Sequence, residues 1–528
     1  MNTHIQNLAK YTRTFAILGL LFGSAVVMAQ LPTVDMKETK SYRWRDVRTS
    51  SVIGLDSHAF YTYGEKNIAL APNLWIVAKY NKETMAQEWQ MEVERIWYRG
   101  SATRVNSLNV VDGQVFLFAE YYDMRRRLRC LILLPFDREG NPQPVVEVDQ
   151  VRGSLFGDGS SFNVVWSADQ SSFAVVAIPS YQSFGESILN VTSYDTEEMM
   201  PRWSNELNLS NRPKIFLSQD LQVANNGDVY LLGTYRKWFQ GIDFDNKPDA
   251  LGHSLFKVDA EGAEEAALGM TEYYINNMGV DVDYANGRVL VAGTYTARNT
   301  SLVESTKGVF SVNVNSEDMS VLDVNRYPFA ESFREDVAKV GYRSRREEVR
   351  AQFGLDFILR RPDGGSYMIN EEYHRYEHVT ENNGNRQVVI IHEFEGILVS
   401  AFDASGELEW VELVPKFQTT KGSTVFLSYT PVVGHDGLTI YMNDDRRNAK
   451  RYGKKRPRIF QNVLRSNHVM VHLTEEETTY HVMWSNNKTK RAPAPQQSIS
   501  DERYPGEVVL LNLYRRKVQL TALAEEKE

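Results

Sequence analysis

The 528-residue sequence contains a single cysteine, Cys130, so no disulfide can form within the chain. Stability must therefore come from buried apolar surface, for which a 42 % share of hydrophobic residues is ample. The sequence also lacks a G-x-S-x-G nucleophile elbow, a phosphate-binding glycine loop and a Cys-x-x-Cys pair. The common sequence signatures of α/β-hydrolases, P-loop nucleotide hydrolases and thiol oxidoreductases are thus missing, and we expect no cofactor.

Positive charge is in short supply. The sequence contains 59 Lys and Arg but 68 Asp and Glu, so its net charge is −9. Because binding to a phosphate backbone needs a basic surface, this balance argues against nucleic acid as the main partner.

Long apolar runs are also scarce, and the only one lies near the N-terminus, from Phe15 to Met28. Lys10 and Arg13 precede it, and the small residue Ala29 follows it. This order predicts a secretory signal peptide over 1–29, and hence a periplasmic or extracellular protein. The alternative is a retained anchor, but about 14 apolar residues are short for a bilayer core of about 30 Å. After cleavage we expect no membrane-spanning segment.

The remaining chain repeats a strand-rich unit at intervals of 53 to 75 residues. A unit begins with a short strand and a turn such as Asn226-Gly227 or Asn286-Gly287, and an apolar strand such as VYLLGTY or VLVAGTY follows. Asn-Gly pairs favour the positive φ angles of two-residue hairpins. Two further strands complete each unit. The seven first strands are centred near Leu55, Leu108, Phe162, Leu221, Val280, Leu355 and Leu427.

Four short antiparallel strands per unit predict an all-β protein with the β-propeller architecture. Seven four-stranded blades fit best, and six or eight would also fit. A β-solenoid would repeat at a shorter period, and a string of β-sandwiches would need about a hundred residues per domain. The propeller should span 51–523, with insertions at 331–352, 374–395 and 443–467.

The two chain ends are predicted to close the ring. Residues 508–514 and 517–523 form a last strand pair, and the 30–50 segment offers Tyr42–Val47 as a closing strand. Mixing strands from both ends removes an exposed sheet edge. A charged tail, 524–528, would follow.

Three tryptophans, Trp89, Trp203 and Trp410, follow an Asn or Asp by seven or eight residues. This spacing resembles the blade-closing motif of quinoprotein-type propellers, in which the tryptophan docks on the neighbouring blade. We interpret the three residues as packing between blades. Pyrroloquinoline quinone is not expected, because a lone cysteine cannot supply the adjacent cysteine pair of many quinoprotein alcohol dehydrogenases.

Two patterns suggest metal ligands, and neither predicts a site. The run from His374 to His378 matches H-x-x-E-H, but a zinc site of this kind needs a helix, and the surroundings predict a solvated inter-strand loop. Asp243, Asp245 and Asp249 could offer oxygen ligands to calcium, yet they lack the central glycine of an EF-hand loop. They are weak candidates in an exposed loop.

The basic segment 446–458, RRNAKRYGKKRPR, contains no acidic residue. Such a segment could bind an anionic polymer, or it could be a solvated, disordered loop. A smaller cluster lies at Arg125–Arg127. The candidate anion-binding residues are Arg446, Arg447, Lys450, Arg451, Lys454, Lys455, Arg456 and Arg458.

With its signal peptide, its NGDVYLLGTY and NGRVLVAGTY strands and the unit at 363–418, the chain resembles the exported β-propeller proteins common in Bacteroidetes-type bacteria. The resemblance covers about 50–523 and implies the fold and an envelope or extracellular setting, but no catalytic residues. We therefore expect a monomeric binding scaffold for a protein or glycan partner. The alternatives are a glycan-active enzyme that uses carboxylates in the channel, and an anionic-polymer binder through 446–458.

Overall fold

The computed structural model describes residues 33–526, except 44–49, 67–73, 95–96, 153–160, 179–187, 210–213, 238–249, 284–285, 298–304, 346, 383–384 and 515–516. The predicted signal peptide lies outside the described residues. All described strands belong to a unit that runs from Val34 to Glu528.

Seven sheets are each built from four consecutive antiparallel strands. We call them blades 1 to 7 in chain order. Their strands are Ser51–Leu55, Ala59–Lys66, Leu74–Asn81 and Gln87–Glu94 in blade 1; Arg104–Val111, Gln114–Asp123, Leu128–Phe136 and Val146–Arg152 in blade 2; Ser161–Trp166, Ser172–Ile178, Ile188–Asp195 and Pro201–Asn208 in blade 3; Lys214–Val223, Val229–Lys237, Ala250–Val258 and Ala263–Ala267 in blade 4; Tyr273–Asp283, Arg288–Ala297, Gly308–Asn315 and Val321–Pro328 in blade 5; Phe353–Arg360, Ser366–Asn382, Asn385–Phe402 and Leu408–Val414 in blade 6; and Tyr429–Val433, Leu438–Asp445, Ser466–Leu473 and Thr478–Ser485 in blade 7.

An eighth sheet, blade 8, joins the two ends of the chain. Its C-terminal strands are Ile499–Ser500, Glu507–Tyr514 and Lys517–Glu525. Val34–Glu38 and Tyr42–Arg43 both pair with the last of them. The terminal strands therefore close the ring, as the sequence predicts, and they do so as a blade of their own.

The blades form a closed circuit. First strands of neighbouring blades contact each other between blades 1 and 2, 3 and 4, 4 and 5, 5 and 6, 7 and 8, and 8 and 1. Between blades 2 and 3, Asn106 Nδ2 donates to Phe162 O at 3.0 Å. Between blades 6 and 7, Tyr429 Oη donates to Asp356 Oδ2 at 2.8 Å. The first strands therefore line a central channel, and the β-propeller prediction is confirmed.

The hydrophobic core is divided among the interfaces between blades. Tyr61 of blade 1 and Leu117 of blade 2 share one buried cluster, and Met368 of blade 6 shares another with Leu290 of blade 5. Each sheet buries both faces against its neighbours, so its second and third strands read as continuous apolar runs.

Close approach of the backbone explains why the repeated G-T-Y sequence begins with glycine. The first strands of blades 1, 2, 4, 5 and 6 pair with a β-bulge, for example between Ser218 and Asp220 and between Ile275 and Asn277. The bulged backbone approaches the second strand so closely that a Cβ on Gly293 would lie 2.1 Å from Asn277 O. Only glycine fits at this approach.

The insertions differ from their predicted structure. Residues 331–352 are the one long segment whose sequence could form a helix, but the α-helix there covers only Glu331–Lys339, and a short hairpin of Ser344–Arg345 and Glu348–Val349 follows. The segment 374–395, predicted as a loop, instead continues the second and third strands of blade 6 as a two-stranded ribbon. The ribbon is largely open to solvent, and even its apolar side chains Val379 and Val388 are 44 % and 48 % exposed. Short strands at Trp97–Tyr98, Ser101–Ala102 and Gln418–Thr420, a helical turn at Asn486–Thr489, and 3₁₀ turns at Asn448–Lys450, Val463–Arg465 and Pro495–Gln497 complete the described elements.

Candidate functional site

A cavity of about 400 Å³ opens at the end of the channel where the first strands terminate. Blades 3 to 8 all contribute to its wall, because the residues at the ends of their first strands converge on the ring axis. Trp166 is among the residues that line the cavity, and its ring packs against Phe173 with 4.9 Å between centroids. The polar wall consists of Gln222, Asn225, Asp281, Asp283, Arg360, Ser500, Asp501 and Glu502.

Arg360 holds two of the four carboxylates. Its Nη2 lies 2.8 Å from Asp281 Oδ1, and its Nη1 lies 3.0 Å from Asp283 Oδ1. Ser366 Oγ donates to Asp281 Oδ2 at 2.5 Å, and Asn286 Nδ2 donates to Asp283 Oδ2 at 2.7 Å. Burial alone would raise the pKa of Asp283, but the Asn286 hydrogen bond and the charge of Arg360 outweigh it and hold this pKa below its usual value.

Glu502 has a different environment. It is open to the water of the cavity but has protein on most sides, and this desolvation raises its pKa to about 7. Its Oε2 accepts a hydrogen bond from the backbone N–H of Arg360 at 3.0 Å. The adjacent Asp501 pairs with Arg503 at 2.7 Å. Glu502 is therefore the carboxyl group of the wall that changes its charge near neutral pH.

The wall thus combines fixed ion pairs, amides, a hydroxyl and one titrating acid. Three of its carboxylates have an arginine partner, and their oxygens can accept hydrogen bonds. Among the described residues, no group of three or more His, Cys, Asp or Glu is placed to hold a metal ion.

Sequence reasoning did not find this wall. The signal for it is weak: Asp281 and Asp283 alternate with valines at the end of an apolar strand, and Arg360 ends the corresponding strand of blade 6. Nothing local distinguishes such residues from ordinary polar strand ends.

The predicted basic segment lies between the second and third strands of blade 7 and has a defined fold. The buried Asn448 organises it, because Asn448 Nδ2 donates to Asp444 Oδ1 at 2.7 Å and to Arg458 O at 3.0 Å. The Tyr452 ring packs against Tyr480 with 4.6 Å between centroids. The basic segment is therefore a folded loop rather than a disordered one.

The eight basic residues do not act as one group. Arg447, Arg456 and Arg458 surround a shallow depression, and Arg451 donates to Arg456 O at 2.9 Å within the loop. Side chains of the remaining four are exposed around the loop: Arg446, Lys450, Lys454 and Lys455. Arg125–Arg127 form the equivalent turn of blade 2, between its second and third strands, so both basic segments emerge at the end of the ring opposite the cavity.

The H-x-x-E-H run lies on a strand. His374 pairs with Glu393 across the ribbon, and His378 pairs with Val389. Four residues along a strand span about 13 Å, so the two rings cannot share one metal ion as they would on a helix. Asp243, Asp245 and Asp249 lie outside the described residues.

The three tryptophans lie on the outer strands of their blades. Trp89 Nε1 donates to Arg138 O of blade 2 at 3.0 Å, and its ring lies against Gly140 of the same turn. Trp203 packs on the cluster shared by blades 3 and 4, and Trp410 on the one shared by blades 6 and 7.

No protein-family model matches this sequence, and no curated protein sequence matches it. Among solved structures, the chain is similar to the β-propeller domain of the Trilobed protease from Pyrococcus furiosus, with 8 % identity over 83 % of this chain and 98 % of that one, at a TM-score of 0.36. It is similar to the polysaccharide lyase Uly1, with 9 % identity over 80 % and 90 % of the two chains, at a TM-score of 0.36. It is also similar to the WD40 domain of SCAP from fission yeast, with 12 % identity over 78 % and 92 %, at a TM-score of 0.32. Similarities this distant carry no conclusion about activity, and the propeller architecture follows from the strand order and the closed ring.

None of the described helices is long and apolar enough to cross a membrane.

Proposed function

We propose that the protein is a binding scaffold and that its ligand is a glycan held in the cavity at the channel mouth. The observation that supports this proposal most directly is the convergence of six blades on one concave, polar wall to which Trp166 also contributes. A sugar presents hydroxyl groups that both donate and accept, together with apolar C–H faces. Amides, ion-paired carboxylates and an aromatic edge match that combination.

The ion pairs favour binding over catalysis. Arg360 pairs with Asp281 and Asp283, and Arg503 pairs with Asp501, so these side chains are held in place when a ligand enters. Fixed hydrogen-bonding groups hold a ligand at a low cost in reorganisation. A protein partner would need a contact surface of about 800 Å² on each side, which a cavity of this size does not offer.

A second candidate function, glycan cleavage, is favoured by one observation. With a pKa near 7, Glu502 is partly protonated at neutral pH, as a general acid must be. Glycosidic cleavage would also need a second carboxylate on the other side of the bond.

Binding of neutral, amino and uronic-acid oligosaccharides, measured by calorimetry and followed by mass spectrometry of the incubated sugars, tests both functions. Asn225→Ala and Glu502→Gln should each weaken binding about tenfold or more, since the first removes an amide from the wall and the second replaces its titrating carboxyl group with an amide. Glu317→Gln, on an exposed turn of blade 5, is the matched control and should leave binding unchanged. Sugars that bind but stay intact support the scaffold.

Two results would contradict the proposal of a glycan-binding scaffold. Cleavage that disappears in Glu502→Gln would make the protein an enzyme. Absence of binding for all three sugar classes, or binding that neither wall variant changes, would contradict a glycan site at the channel mouth.

Export as a monomer to the periplasm or beyond the cell is part of the same proposal. It is supported by the charged, apolar and small-residue order of 1–29 and by the resemblance to exported propeller proteins. N-terminal sequencing of the mature protein should begin at Gln30, and a retained Met1 would contradict export by this route. Light scattering in solution should give the mass of one chain.

A further inference from the structure

The depression in the basic loop of blade 7 has a defined set of walls. We call it the arginine dish, and it is formed by Phe417, Arg447, Arg456, Pro457, Arg458, Ile459 and Gln461. Its charged walls are three arginines, whereas Ile459, 40 % exposed, and the half-buried Phe417 give it apolar surface. A shallow surface with both features is suited to a flat, anionic ligand.

The Arg456 side chain and the Arg458 backbone are held in place before any ligand arrives. Arg456 lies over the Phe417 ring, with 5.1 Å from its guanidinium carbon to the ring centroid. Its aliphatic stem packs so closely on Gly341 that a Cβ there would lie 2.7 Å from Arg456 Cγ. The backbone N–H of Arg458 donates to Asn448 Oδ1 at 2.7 Å. Side chains fixed in this way lose little conformational entropy on binding.

Two of the three arginines have no ion-pair partner at short distance among the described residues. Arg447 pairs with Asp445 at 2.7 Å. Within the described residues, Arg456 and Arg458 form no ion pair at 4 Å or less, although the charge of Arg458 acts on Asp445 and that of Arg456 acts on Glu395 from farther away. Both side chains are exposed. Unpaired arginines next to each other repel, and an anion between them removes that repulsion while accepting bidentate hydrogen bonds.

We infer that the arginine dish binds an acidic polysaccharide, whose carboxylate or sulfate groups are held by Arg456 and Arg458. The sugar ring would lie on the exposed Ile459, because Arg456 covers the Phe417 ring, and the exposed Lys454 and Lys455 would attract the rest of the polymer at longer range. Nucleic acid fits less well, because it needs a basic surface many phosphates long, and the protein as a whole carries a charge of −9.

This site is separate from the channel mouth. The cavity lies where first strands end, whereas the dish belongs to a loop that leaves the second strand of blade 7, at the other end of the ring. Each site can therefore fail its own test without affecting the other.

Calorimetric titration of the full protein with three hexasaccharides tests the dish. The probes are a heparin-derived hexasaccharide, which carries sulfate and carboxylate, hexagalacturonate, which carries carboxylate only, and neutral maltohexaose. We expect the acidic probes to bind and maltohexaose not to bind at this site, and the better of the two acidic probes identifies the preferred anion.

Two double variants distinguish a site from general attraction. Arg456→Gln/Arg458→Gln should lower the affinity for the better acidic probe at least tenfold. Lys454→Gln/Lys455→Gln removes the same charge from the same loop but leaves the dish intact, and should lower the affinity less than threefold. Arg458→Gln alone changes a side chain that does not hold the loop together. It should lower the affinity for the better acidic probe at least threefold.

Three outcomes would overturn the inference. The first is no binding of either acidic probe, and the second is an equal loss in both double variants, which would mean attraction by net charge alone. The third is displacement of the acidic hexasaccharide by a 12-base-pair DNA duplex at equal or lower concentration, which would make nucleic acid the better ligand.

Discussion

Lys416 and Glu371 form an ion pair in which the lysine side chain is 0 % exposed and the glutamate 4 %. The pair joins blade 6 to the segment that leads into blade 7. Ser428 Oγ donates to the other carboxylate oxygen at 2.8 Å, and Lys416 Nζ donates to Gln418 Oε1 at 3.2 Å. Each charge therefore has partners, which is the condition under which buried charges are tolerated.

Removing one partner of this pair should be costly. Lys416→Met leaves the Glu371 carboxylate buried without its counter-charge, and we expect a loss of about 3–5 kcal/mol in the free energy of unfolding. Lys416→Met/Glu371→Gln should recover at least half of this, because no buried charge remains. Urea unfolding at pH 7 followed by fluorescence measures both, and Lys339→Met, in an exposed pair with Asp336, should change stability by no more than about 1 kcal/mol. Equal losses in the two Lys416 variants would show that charge is not the cause.

Arg360→Gln should destabilise the protein most at neutral pH. Asp283 has a folded-state pKa below its unfolded value, so its contribution to stability is present above the unfolded pKa of about 4 and disappears as the pH falls through the folded pKa. In Arg360→Gln the contribution of Asp283 to stability is smaller at pH 7. Lowering the pH therefore removes less stability from this variant than from the wild-type protein. Unfolding midpoints should thus differ most at pH 7 and approach each other near pH 3. A difference independent of pH would mean that Arg360 acts by packing alone.

Glu412 should show the opposite pH dependence. It lines a cavity between the helix Glu331–Lys339 and blade 6, where burial, and then the charge of Asp336, raises its pKa to about 7. The folded state therefore holds a proton that the unfolded state releases, and stability falls as the pH rises from about 4.5 towards 7. Glu412→Gln mimics the protonated form, so it should stabilise the protein at pH 8 by about 1–2 kcal/mol and change little at pH 4.5. As a control, Glu317→Gln at an exposed site should change stability by the same small amount at both pH values. If Glu412→Gln changed stability equally at pH 4.5 and pH 8, the raised pKa would be contradicted.

The G-T-Y glycine should not tolerate a methyl group. In Gly293→Ala the new Cβ would meet Asn277 O at 2.1 Å and Phe310 Cε1 at 2.7 Å. The phenylalanine ring can move, but the backbone oxygen belongs to the channel wall, so we expect a loss of about 1–3 kcal/mol or more. Gly252→Ala is the matched control, since a Cβ there meets nothing within 4 Å. Thermal unfolding of the two variants checks the difference, and equal midpoints would refute the steric explanation.

Much of the fold could be predicted from local patterns. Six of the seven residues on which the first strands were centred lie in a first strand, and Leu427 precedes the seventh, Tyr429–Val433, by two residues. Strand pairs separated by short turns leave a local signal, because their alternation and their turn residues lie close together in the chain. The ribbon at 374–395 was missed because its charged and aromatic residues also suit a loop.

The candidate site could not be predicted in this way. Arg360 and Asp281 are 79 residues apart and belong to different blades. Only the packing of blade 5 against blade 6 brings them together, and neither residue carries a signal of its partner in the surrounding sequence. The same holds for Glu502, whose raised pKa arises from the strands that surround it.

The sequence by itself determined the repeated four-stranded unit, the closure of the ring by its ends and the concentration of positive charge in 446–458, since each depends on residues near one another or on composition. Only the tertiary structure decided that the terminal strands form an eighth blade, that carboxylates and Arg360 meet at the channel mouth, and that the basic loop folds around Asn448 into a dish. These arrangements depend on contacts between residues distant in the chain, whose free energy is gained only when the ring is assembled.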